Sequence, residues 1–281
     1  MNPKSILITG CSSGIGHCVA LGLQRRGHRV IASCRKAADV ERLQSEGLTC
    51  VQLDLDDSSS IKHGFKESLD LCDDRLDALF NNGAWGLPGA VEDLSREAIR
   101  AQFETNLFGW MELSNLALKH MRRHNTGRLI QNSSVLGLVA FPYRGAYTAS
   151  KFALEGLTDT LRMELANTGI RVSLIEPGPI ESRFRANAEK AFRRYIRRQD
   201  SAHEASYQAM EQRLQHKGKS TGFTLPADAV LKKVIHALES PRPKARYYVT
   251  TPTFAFGYLK RLLSSAMTDR LMRWVSADGK R

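Results

Sequence analysis

The chain has 281 residues, of which 42% are hydrophobic and 25% charged. That is enough apolar material for one sizeable core, and it excludes a disordered or collagen-like protein. The net charge of +12 points first to nucleic acid, but ten of the twelve excess charges fall in two segments, Arg183 to Lys219 and Tyr258 to Arg281. The remainder is near neutral, which speaks against a nucleic-acid module in the main fold.

The N-terminus MNPKSILITG runs straight into a strand-like segment without the basic and apolar regions of a secretory signal. The longest apolar run, Val135 to Phe141, is far below the ~18 residues of a membrane span. Cys11, Cys18, Cys34, Cys50 and Cys72 are odd in number and lack metal-ligand spacing. They read as reduced thiols, and the expectation is a cytoplasmic chain with no metal.

Over the first 180 residues, short β-branched runs alternate with longer helical patterns. Strands are predicted at Ser5–Thr9, His28–Ser33, Thr49–Leu53, Ala78–Asn81, Arg128–Asn132 and Arg171–Glu176, with helices near Ile15–Arg26, Ala38–Glu46, Ser58–Leu71, Ser95–His124 and Ala146–Thr168. Strands separated by crossover-length helices imply an α/β, doubly wound, Rossmann-type parallel sheet. Beyond Pro177 the alternation stops. Residues 183–225 read as a basic, helix-prone insertion, followed by a helix at Ala227–Leu238 and a seventh strand at Arg246–Thr250. Residues 252–276 read as one amphipathic C-terminal helix. The expectation is a single Rossmann-type domain, 1–281, with a helical C-terminal substrate lobe.

Thr9-Gly10-Cys11-Ser12-Ser13-Gly14-Ile15-Gly16 lies between the first strand and the first helix. Glycines there let the backbone approach a pyrophosphate, and the helix N-terminus supplies amide donors. The spacing is GxxxGxG, not GxGxxG, and a glycine triad alone is also compatible with an ordinary turn. The second strand ends in Ser33-Cys34-Arg35-Lys36, where NAD-binding proteins of this fold carry an acid for the ribose 2′-hydroxyl. A guanidinium at that place suits a 2′-phosphate, so Arg35 and Lys36 argue for NADP(H) over a merely solvated loop.

Tyr147 and Lys151 share one face of a predicted helix, a phenol beside a cation able to lower its pKa. Ser134 stands thirteen residues upstream, where a hydroxyl can polarise a carbonyl; the neighbouring Ser133 is the competing assignment. Asn81-Asn82-Gly83-Ala84 ends the fourth strand, and Asn106 sits inside a helix, an unfavourable place for Asn without a reason. The strand-end motifs all lie at carboxyl ends, where open α/β sheets bind ligands.

With these motifs the chain resembles the short-chain dehydrogenase/reductase family, over residues 5 to about 182, and within it the 17-beta-hydroxysteroid and retinol dehydrogenase group. The resemblance implies a catalytic set of Asn106, Ser134, Tyr147 and Lys151. Tyr147 would exchange the proton with the carbonyl oxygen, Ser134 would orient that oxygen, Lys151 would tune Tyr147 and hold the nicotinamide ribose, and Asn106 would fix a relay water. It implies cofactor contacts at Thr9, Gly10, Ser12, Ser13, Gly14, Ile15, Gly16, Arg35, Lys36, Asp54, Leu55, Asn82, Gly83, Ala84, Pro177, Gly178, Ile180 and Ser182, besides Tyr147 and Lys151. Ser182 replaces the more usual Thr, and NNGA stands where NNAG is commoner.

The implied function is NADP-dependent reduction of an apolar aldehyde or ketone, or oxidation of the corresponding alcohol. The alternatives are an NAD-using hydroxysteroid- or retinol-type dehydrogenase and a cofactor-binding peripheral membrane protein. Trp85, Leu87, Phe141, Pro142 and Tyr143 are candidate pocket residues. In the basic insertion, Arg183, Arg185, Arg193, Arg194, Arg197 and Arg198 are expected outside, and Phe184, Phe192, Tyr195 and Ile196 inside, as a substrate lid. A homodimer or homotetramer is expected, with weak membrane-surface contact through the lobe and the C-terminal helix as a further reading.

Overall fold

Successive residues of a strand point to opposite faces, and β1 (Ser5–Ile8) uses this fully. Ile6 and Ile8 enter one apolar layer and Leu7 the other, all without solvent exposure. The computed structural model describes residues 2–199, 201–215 and 222–276. It repeats this two-sided burial in β2 (Arg29–Cys34), β3 (Thr49–Gln52), β4 (Ala78–Asn81), β5 (Gly127–Asn132) and β6 (Ile170–Glu176). With β7 (Arg246–Tyr248) they form a seven-stranded parallel sheet of order β3-β2-β1-β4-β5-β6-β7.

On the Ile6 face pack α1 (Gly14–Arg25), α2 (Ala37–Ser45) and α9 (Asp228–Glu239), through Val19, Leu23, Leu43, Val230 and Val234. On the Leu7 face pack α3 (Ser58–Asp70), α5 (Gly109–His124) and α6 (Gly145–Glu164), through Ile61, Phe65, Trp110, Leu113 and Leu154. The chain order reverses between β1 and β4, so their carboxyl ends diverge into a crevice.

The helix expected over Ser95–His124 is interrupted. It comprises α4 (Arg96–Phe103), a π-helical turn at Glu104–Phe108, and then α5. Gly109 N donates to Glu104 O, and Asn106 lies within the widened turn, fully buried. The single C-terminal helix expected at 252–276 is likewise corrected. It is two helices, α10 (Thr251–Leu262) and α11 (Ser265–Ser276), because Leu263 adopts an extended conformation that ends α10. Hydrophobic spacing alone carried across that break.

The insertion holds α7 (Phe184–Tyr195) and α8 (Glu204–Gln215). Phe192, Ile196, Tyr207 and Met210 bury a separate apolar cluster with Leu87, Ala90 and Ala146, which fastens the lobe beside the start of α6. The named arginines lie at the surface or partly covered, and Phe192 and Ile196 lie inside, whereas Phe184 is 37% exposed.

Candidate active site

The loop after β1 is fixed from beneath. Thr9 Oγ1 accepts from the amides of Asn82 (2.8 Å) and Gly83 (2.9 Å), and Asn82 Nδ2 donates to Thr9 O (2.9 Å) and Gly10 O (3.3 Å). Asn82 Oδ1 in turn accepts from Asn132 Nδ2 at 2.9 Å. The Thr9 hydroxyl and Asn82 side chain are thus engaged in holding the loop. Gly10 has φ +70°, and a Cβ there would lie 2.5 Å from Gly83 Cα; a Cβ on Gly16 would lie 2.7 Å from Asn82 Nδ2. These glycines let the loop and the start of α1 pack directly on the exit of β4.

α1 begins behind Ser13, whose side chain makes no capping bond, and its first turn carries no acid. Its leading amides and the positive end of its dipole therefore suit a diphosphate. Arg42 Nη2 donates to Ser12 O at 2.8 Å, an α2 contribution to the loop that no local motif announces. Arg35 and Lys36 are exposed at the end of β2, and Lys36 is the uncapped residue before α2. These residues fit a nicotinamide dinucleotide, with donors at the diphosphate position and cations beside the adenosine ribose.

Asp54 Oδ1 accepts from the Asp56 amide at 3.1 Å, and Leu55 is buried against Gly83. Across the crevice, Val135 N donates to Pro177 O at 2.8 Å, and Ile180 bridges to Leu225. A Cβ on Gly14 would meet Ser182 Cβ at 3.0 Å, so 177–182 runs back to the nucleotide loop. The remaining loop residues, Ile15 and Ala84, are half-buried around it.

Beside this loop stand the reactive groups. Ser134 caps a short 3-10 turn, its Oγ accepting from Leu136 N at 3.1 Å, and lies beside the Tyr147 phenol. Burial pushes that phenol up to about 12, with Ser134 opposing. Lys151, one turn along α6, is fully buried; its Nζ donates to Asn132 O at 2.8 Å, 4.3 Å from the Trp110 ring centre and 5.7 Å from that of Tyr147. Burial brings its ammonium down to about 7, with Glu155 acting against the fall. Ser133 is set apart from the pair, turned toward Glu155.

Asn106 Oδ1 accepts from Trp85 N (3.2 Å), and its Nδ2 donates to Trp85 O (2.9 Å) and Ser150 Oγ (3.2 Å). The side chain is fully used in tying the β4 exit to α6. Phe184 stands over the site, its ring 5.3 Å from that of Tyr147 at 64°, in space that a Cβ on Gly86 would fill.

The expected pocket residues separate. Trp85 stacks on Tyr195 at 6.0 Å, whereas Leu87 is buried in the lobe core and Phe141 packs edge-on against Phe256. Pro142 and Tyr143 line an open cavity of about 650 Å³ with Ala90, Val91, Glu92, His203 and Arg273; Tyr147 is not in its wall.

The family model described as short chain dehydrogenase matches residues 4–192. The chain belongs to the short-chain dehydrogenase/reductase family. It is 43% identical over 270 residues to an uncharacterized oxidoreductase, YbbO, of Escherichia coli, covering 96% of this chain and 94% of the relative. It is 32% identical to 17-beta-hydroxysteroid dehydrogenase type 1 of Homo sapiens, covering 87% and 77%. Among solved structures, a short-chain dehydrogenase from Streptomyces avermitilis superimposes with TM-score 0.77 at 23% identity, covering 100% and 99%. One from Burkholderia phymatum in complex with NAD gives 0.76 at 24%, covering 93% and 92%. The protein is therefore an oxidoreductase with a nicotinamide-binding fold, and among the described residues no helix is long and apolar enough to cross a membrane.

Proposed function

We propose that the protein is an NADP(H)-dependent reductase of apolar aldehydes or ketones. The observation that carries this reading is the Ser134–Tyr147 contact, beside buried Lys151, at the carboxyl edge of a sheet whose first loop suits a diphosphate. Bound NADPH supplies the hydride. Ser134 Oγ and Tyr147 Oη hold the substrate oxygen, and Tyr147 Oη gives it a proton as negative charge develops there. With its pKa raised by burial, the phenol is protonated at neutral pH and holds the proton that the developing alkoxide takes. Lys151 holds the nicotinamide ribose, and Asn106, buried in the π-helical turn and bonded to Ser150, fixes a relay water.

Phe184, Trp85 and Tyr195 give the substrate an aromatic surround, and 183–225 serve as its lid. Arg35 and Lys36 select the 2′-phosphate. All five cysteines are free, four of them buried, which supports a reducing cytoplasmic setting. The test is NADPH oxidation against medium and long aldehydes, aromatic ketones, retinal and ketosteroids. Turnover of apolar carbonyls supports the reading, and no turnover across the panel overturns it.

Partly exposed Phe108 and Met111 near the start of α5, and Phe152 and Leu157 on α6, support pairing of copies through these helices. Leu262 and Trp274, 81% and 77% exposed beside Arg261, Arg270 and Arg273, support weak contact with an anionic membrane surface. Vesicle flotation at low and high salt tests this second point.

A further inference from the structure

Behind Lys151 lies a charge cluster that no step of the proposed chemistry uses. Glu155 is one turn beyond Lys151 on α6 and is buried; Glu176, the last residue of β6, has no exposure. Arg246, from β7, reaches between them. Its Nη1 donates to Glu155 Oε2 and to Glu176 Oε1 (2.5 Å), and its Nη2 to Asp159 Oδ2 at 2.6 Å. Three carboxyl groups thus share one guanidinium. Arg162 meets Asp159 on the more exposed side, and Lys260 of α10 lies over the Phe152 ring at 4.4 Å near the same cluster.

Buried charges need counter-charges, and Lys151 has none in direct contact: a carbonyl and a ring face are its neighbours. The anion nearest along its own helix face is Glu155, at the i+4 position. We infer that Glu155, clamped by Arg246 against Glu176, is a positioning residue that keeps the buried Lys151 ammonium charged and in place. The clamp joins the catalytic helix to the strand that leads into Pro177 and Gly178, so it sets the lysine relative to the nicotinamide side of the crevice. The assignment of a use to that charge rests on the reductase reading; the electrostatic coupling does not.

Burial raises the carboxyls of both Glu155 and Glu176, that of Glu176 to about 8, but Glu155 is the acid that acts against the fall in the Lys151 pKa. Of the two, only Glu155 lies on the Lys151 face of α6, so their expected effects differ. Protein labelled with [ε-13C]lysine is titrated by NMR without substrate or cofactor, the Lys151 resonance being the one missing from Lys151→Met. The wild-type midpoint is expected near 7. Glu155→Gln is expected to lower it by about one pH unit or more, Glu155→Asp by about half a unit, and Glu176→Gln by less than about 0.3.

A folded Glu155→Gln protein with an unmoved midpoint overturns the inference, as does a shift in Glu176→Gln equal to that in Glu155→Gln. If Glu155→Gln does not fold, an unmoved midpoint in Glu155→Asp overturns it. The same variants in turnover are expected to show the alkaline limb of the pH profile displaced by the NMR shift. A catalytically silent chain that passes the titration removes the reductase reading alone.

Discussion

Lys151 Nζ stands 4.3 Å from the centre of the Trp110 ring, a cation held by an aromatic face at complete burial. Its pKa falls to about 7 in the fold from 10.5 in the open chain. Between these values the unfolded chain binds more protons than the folded one, so stability rises with pH across that window. At and below about pH 7 the full cost of burying the cation is present. Lys151→Met removes that cost but leaves the Asn132 carbonyl without its donor, an opposing loss of about 1 to 3 kcal/mol. The variant is expected to lose activity yet gain on the order of 1 to 2 kcal/mol of stability near pH 6, with the gain shrinking toward pH 10. Thermal unfolding across that range checks it, and a variant less stable than wild type near pH 6 counts against a charged, buried lysine.

Tyr147→Phe keeps the ring that packs on Phe184 and removes only the hydroxyl that stands beside Ser134. The expected loss in kcat is on the order of 10² to 10⁴, with NADPH binding, measured by fluorescence titration, unchanged within about twofold. Most of the activity surviving would reject Tyr147 as the proton donor.

Much of this was legible because its signals are local. Ile6, Leu7 and Ile8 announce a strand buried on both faces, Gly10 to Gly16 the loop that follows it, and Tyr147 with Lys151 one face of one helix. What escaped depends on distant parts meeting. Arg246 reaches Glu155 and Glu176 only because β7 pairs with β6, and Phe184 covers Tyr147 only once the lobe docks. The π-helical turn was hidden for another reason: its hydrophobic spacing passes for α-helix, and the buried Asn106 was its one visible sign. The hold of Asn82 on the Thr9 and Gly10 carbonyls was likewise invisible in the sequence, because it needs β4 to lie beside β1.

Phe184 meets the Tyr147 ring edge-on at 5.3 Å, while its own side chain remains partly exposed. Because Phe184 is not fully buried, Phe184→Ala is expected to open the space beside Tyr147 with little of the usual cost of a core deletion. KM for a medium-chain aldehyde is expected to rise about threefold to tenfold, with turnover of bulkier ketones retained or improved. Steady-state kinetics on the two substrate classes checks this. Identical losses for both would mean that Phe184 supports the fold of α7 and does not shape the substrate site.

Arg35 and Lys36 lie exposed where β2 ends, and β2 itself carries no acid. If Arg35 meets the 2′-phosphate, a charge-assisted contact of roughly 1.5 to 3 kcal/mol separates NADPH from NADH. Each 1.4 kcal/mol is about tenfold, so kcat/KM is expected to favour NADPH by more than ~10. The preference should weaken as added salt screens these exposed charges. Arg35→Asp exchanges an attractive contact for a repulsive one and is expected to reverse the order, with Lys36 limiting the reversal and the double variant Arg35→Asp, Lys36→Ser completing it. Neither residue belongs to the buried core, so unfolding temperature should stay within a few degrees of wild type. Equal use of both cofactors by the wild-type enzyme would reduce Arg35 and Lys36 to a solvated loop. It would remove NADP selectivity while leaving proton transfer by Tyr147 untouched.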